Sequence, residues 1–230
     1  MSGTATASGP PGLSRQQMAD RLAMEFQEGW IVNLGVGMPT LCSNTDIGDR
    51  QIIYHSENGV IGYGPIAEPG QEDLHLVNAG GQNVTLRPEA AIVHHADSFA
   101  IIRSGRIDVT VLGAYEVARN GDFANWKVAG AKGGGIGGAM DLAACAKNVF
   151  LILEHATRIG SPRLVDACAI PVTARGVVSL VVTNFGLFQP IGEAFLLHEI
   201  APGVSVDEIR AATGCPVVLA PGLPLVRLAG

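Results

Sequence analysis

What most constrains this chain is an alternation. Short, almost wholly apolar runs recur along it, separated by segments with helical spacing and by glycine turns. "WIVNL" (30–34), "QIIYH" (51–55), "IDVTVLGA" (107–114) and "NVFLILEH" (148–155) have the length and β-branched content of strands buried on both faces. Between them the pattern changes period. Ser14 to Gln17 spell a capping box, and Met18, Leu22 and Phe26 then recur at four-residue spacing, so a helix is predicted from Ser14 with a stop at Gly29. "DSFAIIRSG" (97–105) reads as a second helix, Pro39 as the start of another, and "GGGIGGAMDLAACA" (133–146) as a glycine loop opening one more. "GVVSLVVTNFGLFQ" (176–189) with "AFLLHEIA" (194–201) looks like a hairpin, and Ser205 with Glu208 supplies a second capping box for a last helix before Gly214. Strand following helix in this way predicts an α/β fold, an open, largely parallel sheet flanked by helices, with antiparallel additions late in the chain.

With 230 residues, 47% of them hydrophobic and 16% charged, the chain can bury a sizeable core. A single domain is expected over residues 14–230, preceded by a disordered Pro/Gly-rich tail at 1–13. The net charge is −6 and the 15 basic residues are spread singly, so no stripe exists to track nucleic-acid phosphates. Apolar runs such as "VVSLVV" fall far short of the roughly 18–20 residues a membrane span needs. Neither nucleic acid nor membrane is an expected partner. The N-terminus lacks the basic start and apolar stretch of a secretory signal, and Cys42, Cys145, Cys168 and Cys215 form no CxxC or CxxH pair. Reduced, buried thiols, no zinc site and a cytoplasmic location follow as expectations.

Ligands in open α/β sheets bind outside the carboxyl ends of strands, so the loops leaving "WIVNL", "QIIYH" and "IDVTVL" are where a site belongs. Glu57 stands in one of them, between "QIIYH" and an Asn58-Gly59 turn that can reverse the chain and present the carboxylate at a rim. It is either a solvated loop carboxylate or a functional one. "GVGMPT" with an acid 22 residues beyond Gly35 mimics a dinucleotide site, but Thr40 replaces the third glycine and Pro39 removes an amide. Gly133 to Gly138 lack the Lys-Ser/Thr ending of a P-loop, and Ser56 lacks a G-x-S-x-G elbow. His94-His95 has no third ligand nearby in sequence, and strand alternation turns His55 away from its neighbours toward a structural hydrogen bond.

"NLGVGMPT", "HSENGVIGYGP", "GDFANW", "GGIGGAMDLA" and "EIAPGVSVDEI" resemble, in order and over roughly residues 14–220, the β subunit of class I (3-oxoacid) CoA-transferases. Ser56-Glu57-Asn58-Gly59 is the most specific segment. The resemblance implies a CoA-transferase-type fold and a nucleophilic Glu57 that carries CoA as a glutamyl thioester. It implies CoA transfer between an acyl-CoA such as succinyl-CoA and a 3-oxoacid such as acetoacetate or 3-oxoadipate. It also implies an α-subunit partner in an α2β2 assembly, and no cofactor beyond the CoA thioester substrate. Asn33 and the Gly35/Gly37 loop either line the thioester pocket or turn the chain beneath it. Asn58 and Gly59 accompany the nucleophile. Gly137 or Gly138 either meets the developing oxyanion or CoA, or starts a close-packed helix. The aromatic in Asn125-Trp126 reads as packing.

Two segments depart from the family pattern. Gly134 stands where a lysine is expected, with Lys132 two residues earlier. "EHATRIG" (154–160) displaces a threonine and puts Arg158 in place of a lysine. Both bear on which acyl group is carried. The same fold serves enzymes that hydrolyse or decarboxylate CoA thioesters, and a non-catalytic nucleotide or CoA-binding module is the remaining alternative.

Overall fold

The computed structural model describes residues 12–128, 135 and 137–228. In chain order the described elements are α1 (Arg15–Ala23), β1 (Ile31–Leu34), a 3-10 helix (Met38–Asn44), β2 (Ile53–His55), β3 (Val60–Ile66) and β4 (Val84–Ile92). Then come α2 (His95–Arg103), β5 (Val109–Leu112), β6 (Glu116–Ala118), β7 (Phe123–Ala124), α3 (Ala139–Cys145), β8 (Asn148–Leu153) and β9 (Leu164–Val165). The last are β10 (Val178–Thr183), β11 (Gly186–Pro190), β12 (Phe195–Ile200), α4 (Val206–Ala212) and β13 (Val217–Leu219).

Both predicted capping boxes form. Ser14 Oγ accepts from the Gln17 amide at 3.2 Å while the Ser14 amide donates to Gln17 Oε1 at 2.9 Å, and Ser205 with Glu208 does the same for α4. Helix α1 stops earlier than predicted. Its C-cap is Met24, so Phe26 packs from the turn beyond the helix, where it is still buried. Gly29, at φ +77°, belongs to the turn leading into β1, and its amide donates to the Gln51 carbonyl at 2.8 Å. The helix predicted from Pro39 is a 3-10 helix, begun by Gly37 at φ +91°. Chain order already holds ahead of Ser14: Leu13 is buried and its amide donates to the Asn184 carbonyl at 2.7 Å. The rest of the expected tail, residues 1–11, lies outside the described residues, as do Lys132 and Gly134.

Ten strands form one sheet in the order β13-β12-β11-β10-β8-β5-β1-β2-β3-β4, and β7-β6-β9 form a small second sheet. The centre, β10-β8-β5-β1-β2, is parallel throughout. Antiparallel strands extend both sides, β11 and β12 beyond β10, and β3 and β4 beyond β2. The sequence led us to expect only the later group. Central strands are covered on both faces, as their unbroken apolar character requires. Along β8, Phe150 and Ile152 join the core beneath α1 and the 3-10 helix, while Val149, Leu151 and Leu153 join the core of α2, α3 and α4. Strand alternation thus feeds two cores from one run of residues.

Candidate active site

The β2–β3 connection sets Glu57. The Ser56 amide donates to the Val60 carbonyl at 2.8 Å and the Gly59 amide to the Ser56 carbonyl at 2.9 Å, closing a tight turn with Glu57 and Asn58 at its centre. Gly59 is required here: it sits at φ +113°, and a β-carbon on it would collide with the Val93 carbonyl oxygen. Positive φ therefore occurs at Gly59 and not at Asn58, whose Nδ2 instead donates to the Val77 carbonyl at 2.8 Å.

A buried polar chain anchors this turn to the sheet. Thr110 Oγ1 donates to Asn33 Oδ1 at 3.2 Å, and Asn33 Nδ2 lies 3.0 Å from His55 Nδ1 and 3.3 Å from the His55 carbonyl. An amide nitrogen can only donate, so Nδ1 accepts and the His55 proton sits on Nε2, 3.1 Å from Ser98 Oγ. Ser98 Oγ passes its own proton toward the Ser56 carbonyl at 3.4 Å, and Ser56 Oγ accepts from the Ala79 amide at 2.8 Å. Burial pushes the His55 pKa down to about 4, which keeps this tautomer neutral. Its role is structural, as strand alternation predicts.

Glu57 faces a cavity of about 460 Å³ at the carboxyl ends of β1 and β5. Asn33, Leu34 and Gly35 line it from β1, Leu112 and Gly113 from β5, and Gly137, Gly138 and Ala139 from the start of α3. Asn125, Trp126, Tyr115 and Thr173 close a further side. Desolvation raises the Glu57 pKa above the ordinary carboxylate value; His95 counters this and Asp141 adds to it. Gly138 makes the closest approach. A β-carbon there would fall on Glu57 Oε2 and reach within 3.0 Å of Phe99 Cζ, although its φ of −66° suits any residue. Gly138 is glycine because the carboxylate occupies the space. Gly35 is packed too, its would-be β-carbon 3.0 Å from Leu112 Cδ2 and from the Val111 carbonyl oxygen.

The sequence-predicted residues thus divide. Asn33, Gly35, Glu57, Gly137 and Gly138 share the cavity wall; Gly37, Asn58 and Gly59 do not. Gly37 opens the 3-10 helix, its carbonyl accepting from the Thr40 amide and from Thr40 Oγ1 at 3.1 and 2.7 Å. The "EHATRIG" segment is also elsewhere: Thr157 closes its own turn, with the Ser161 amide donating to Thr157 Oγ1 at 3.0 Å, and Arg158 is exposed. His94 caps α2 through Nδ1, and the His95 ring packs against Phe99 with centroids 4.7 Å apart. Among the described residues no group of three or more His, Cys, Asp or Glu side chains is placed to hold a metal. Sequence reasoning missed Tyr115 and Thr173 and misread Asn125. The Asn125 amide donates to Thr173 Oγ1 at 3.0 Å, Thr173 Oγ1 donates to Asn125 Oδ1 at 2.8 Å, and Asn125 Nδ2 donates to the Gly113 carbonyl at 3.1 Å. "GDFANW" marked Asn125 as part of a motif, but nothing in the sequence pointed to Thr173, 48 residues away.

A desolvated carboxylate in a largely apolar cavity, at the carboxyl ends of parallel strands and against a glycine helix start, defines an α/β enzyme site suited to carboxylate chemistry on a bound acyl group. The family model for coenzyme A transferase matches residues 15–212, and the chain belongs to that family, a family of transferases. It is 44% identical over 208 residues to the β subunit of the 3-oxoadipate CoA-transferase of Pseudomonas putida, covering 90% of this chain and 97% of that one. It is 41% identical over 199 residues to the β subunit of the succinyl-CoA:3-ketoacid coenzyme A transferase of Helicobacter pylori, covering 86% and 96%. In fold it is similar to an acyl-CoA transferase from Escherichia coli O157:H7, with a TM-score of 0.73 at 23% identity over 96% of this chain and 45% of that one.

Proposed function

We propose that this chain is the β subunit of a 3-oxoacid CoA-transferase and that Glu57 is its covalent carrier of CoA. The observation that carries the reading is the Glu57 carboxylate, partly desolvated and held against Gly138 in the cavity. Its oxygen attacks the thioester carbonyl, the C–S bond breaks, and CoA thiolate leaves a mixed anhydride behind. The thiolate then attacks the glutamyl carbonyl, forming a glutamyl-CoA thioester and releasing the first acid as carboxylate. A second carboxylic acid reverses the sequence and departs as its CoA ester. Each attack creates an oxyanion, and the backbone amides at Gly137 and Gly138 are the donors we assign to it. The acid–base balance closes within the substrates, so the chemistry asks for no organic cofactor or metal.

Donor and acceptor are read as succinyl-CoA and a 3-oxoacid, supported by the names of the two relatives. Each relative is named as one subunit of its enzyme, which supports an α-subunit partner, and we take the two to form an α2β2 assembly. The outermost strand β4 adds support, since it leaves Leu86 45% and Ile92 69% exposed along an open edge. The four free cysteines suit a reducing cytoplasm.

Intact-mass spectrometry of the chain, co-expressed with its α subunit and exposed to succinyl-CoA without an acceptor, tests this. A CoA-sized mass gain on Glu57 that vanishes in Glu57→Gln is expected. Steady release of free CoA or carbon dioxide with no adduct would overturn covalent transfer and favour a hydrolase or decarboxylase.

A further inference from the structure

Trp126 is the cavity side chain that the proposed reaction leaves unused. It follows Asn125 out of β7, and both line the cavity that holds Glu57. Asn125 is fully engaged with Thr173 and Gly113. The indole is not: Trp126 Nε1 is buried and has no hydrogen-bond partner among the described residues. A donor left in this way costs the free energy of a lost hydrogen bond, and few such groups survive in folded proteins without a role.

Charge narrows the partner. No Lys, Arg or His stands among the described residues of the cavity wall, where Glu57 is the one carboxylate. A neutral donor in an apolar wall suits a neutral acceptor, because a second carboxylate would be desolvated there with no cation to meet it. A 3-oxoacid carries such an acceptor, a ketone oxygen on the carbon two bonds from the acyl carbon that Glu57 engages.

We infer that the Trp126 Nε1–H donates a hydrogen bond to the 3-oxo oxygen of the acyl group and thereby selects 3-oxoacids over saturated acids of the same length. The inference rests on the CoA-transfer reading above. The N–H is out of water's reach, so pairing takes a turn of the indole toward the acyl group. A saturated acid fills the same space but leaves the donor orphaned, which is the situation in which a hydrogen-bonding site discriminates most strongly.

The test uses the complex with its α subunit, succinyl-CoA as donor, and acetoacetate and butyrate as paired acceptors. Trp126→Phe keeps the ring area and removes the N–H. Adduct formation from succinyl-CoA should persist, kcat/KM for acetoacetate should fall about tenfold, and kcat/KM for butyrate should hold. Equal losses for both acids, or no loss for either, would overturn the inference and leave Trp126 as packing. A second readout does not depend on that variant's folding. The chain has two tryptophans, so in Trp30→Phe the remaining indole ¹⁵N–¹H resonance belongs to Trp126. Acetoacetate should move that resonance downfield and butyrate should not; a resonance indifferent to both sinks the hydrogen bond. Failure of the wild-type complex to form a glutamyl adduct would count against the transfer reading, while the resonance would still judge the Trp126 contact.

Discussion

At the residue scale, Glu57 and Gly138 form one unit made from two distant parts of the chain. Gly138 lies in ordinary helical φ,ψ space, so backbone strain does not explain the glycine; the neighbouring carboxylate does. Gly138→Ala should therefore separate activity from stability. The added methyl displaces the end of a flexible side chain, which costs little in folding, and alanine offsets part of that by its better helix propensity. A carboxylate moved by about 1 Å from its line of attack loses on the order of a hundredfold in rate. Steady-state kinetics should show that loss in kcat, while the melting temperature stays within about 3 °C of the parent. A variant that keeps full kcat would show that Glu57 does not need the space Gly138 leaves.

At the element scale, the two capping boxes are self-contained devices. Ser14 satisfies the Gln17 amide at the start of α1, whose Met18, Ala19, Leu22 and Ala23 are buried in the first core. No α1 residue lines the cavity. Ser14→Ala should cost about 1 kcal/mol, a fall in melting temperature of roughly 2–4 °C, with kcat unchanged. Thermal melts alongside kinetics would check it, and an activity loss larger than the stability loss would tie α1 to the site. The β2–β3 turn behaves differently from the caps. Its hydrogen bonds are local, but its position depends on Asn33, Ser98 and Thr110, which come from three other elements. A turn legible in sequence becomes a site only when those elements meet.

For the whole molecule, two buried histidines set the response to acid. His55 links β1, β2 and α2; His155 bonds Thr183 and Thr213 at 3.0 and 2.9 Å and stacks on Phe185. Burial lowers both pKa values from 6.5 to about 4. A folded pKa below the unfolded one means the stability is fully present above pH 6.5 and is lost as pH falls through about 4, because the unfolded chain takes up protons first. Each group contributes up to about 3 kcal/mol over that window. Glu57 shifts the opposite way, its raised pKa favouring the folded state slightly as the carboxylate is protonated. Urea unfolding at a series of pH values should show stability falling between pH 6.5 and about 4, and a flat profile would contradict both buried neutral histidines.

What the sequence by itself determined was local or periodic. The capping boxes rest on residues three apart, the strands on alternation, the β2–β3 reversal on Asn58-Gly59, and each formed where its pattern stood. The parallel centre of the sheet was legible too, because strands buried on both faces cannot carry polar alternation. Patterns faltered where packing outweighed propensity: α1 ended at Met24 although Phe26 kept the helical spacing, since a residue in a turn can fill the same core. Sheet order, the antiparallel strands beside β2, the Asn125–Thr173 pair, the placing of Gly138 on Glu57 and the orphaned Trp126 N–H were decided by tertiary structure alone. The reason is physical: caps and periods are carried by neighbours a few residues apart, whereas these contacts join residues dozens apart whose approach depends on which strands the whole chain buries side by side.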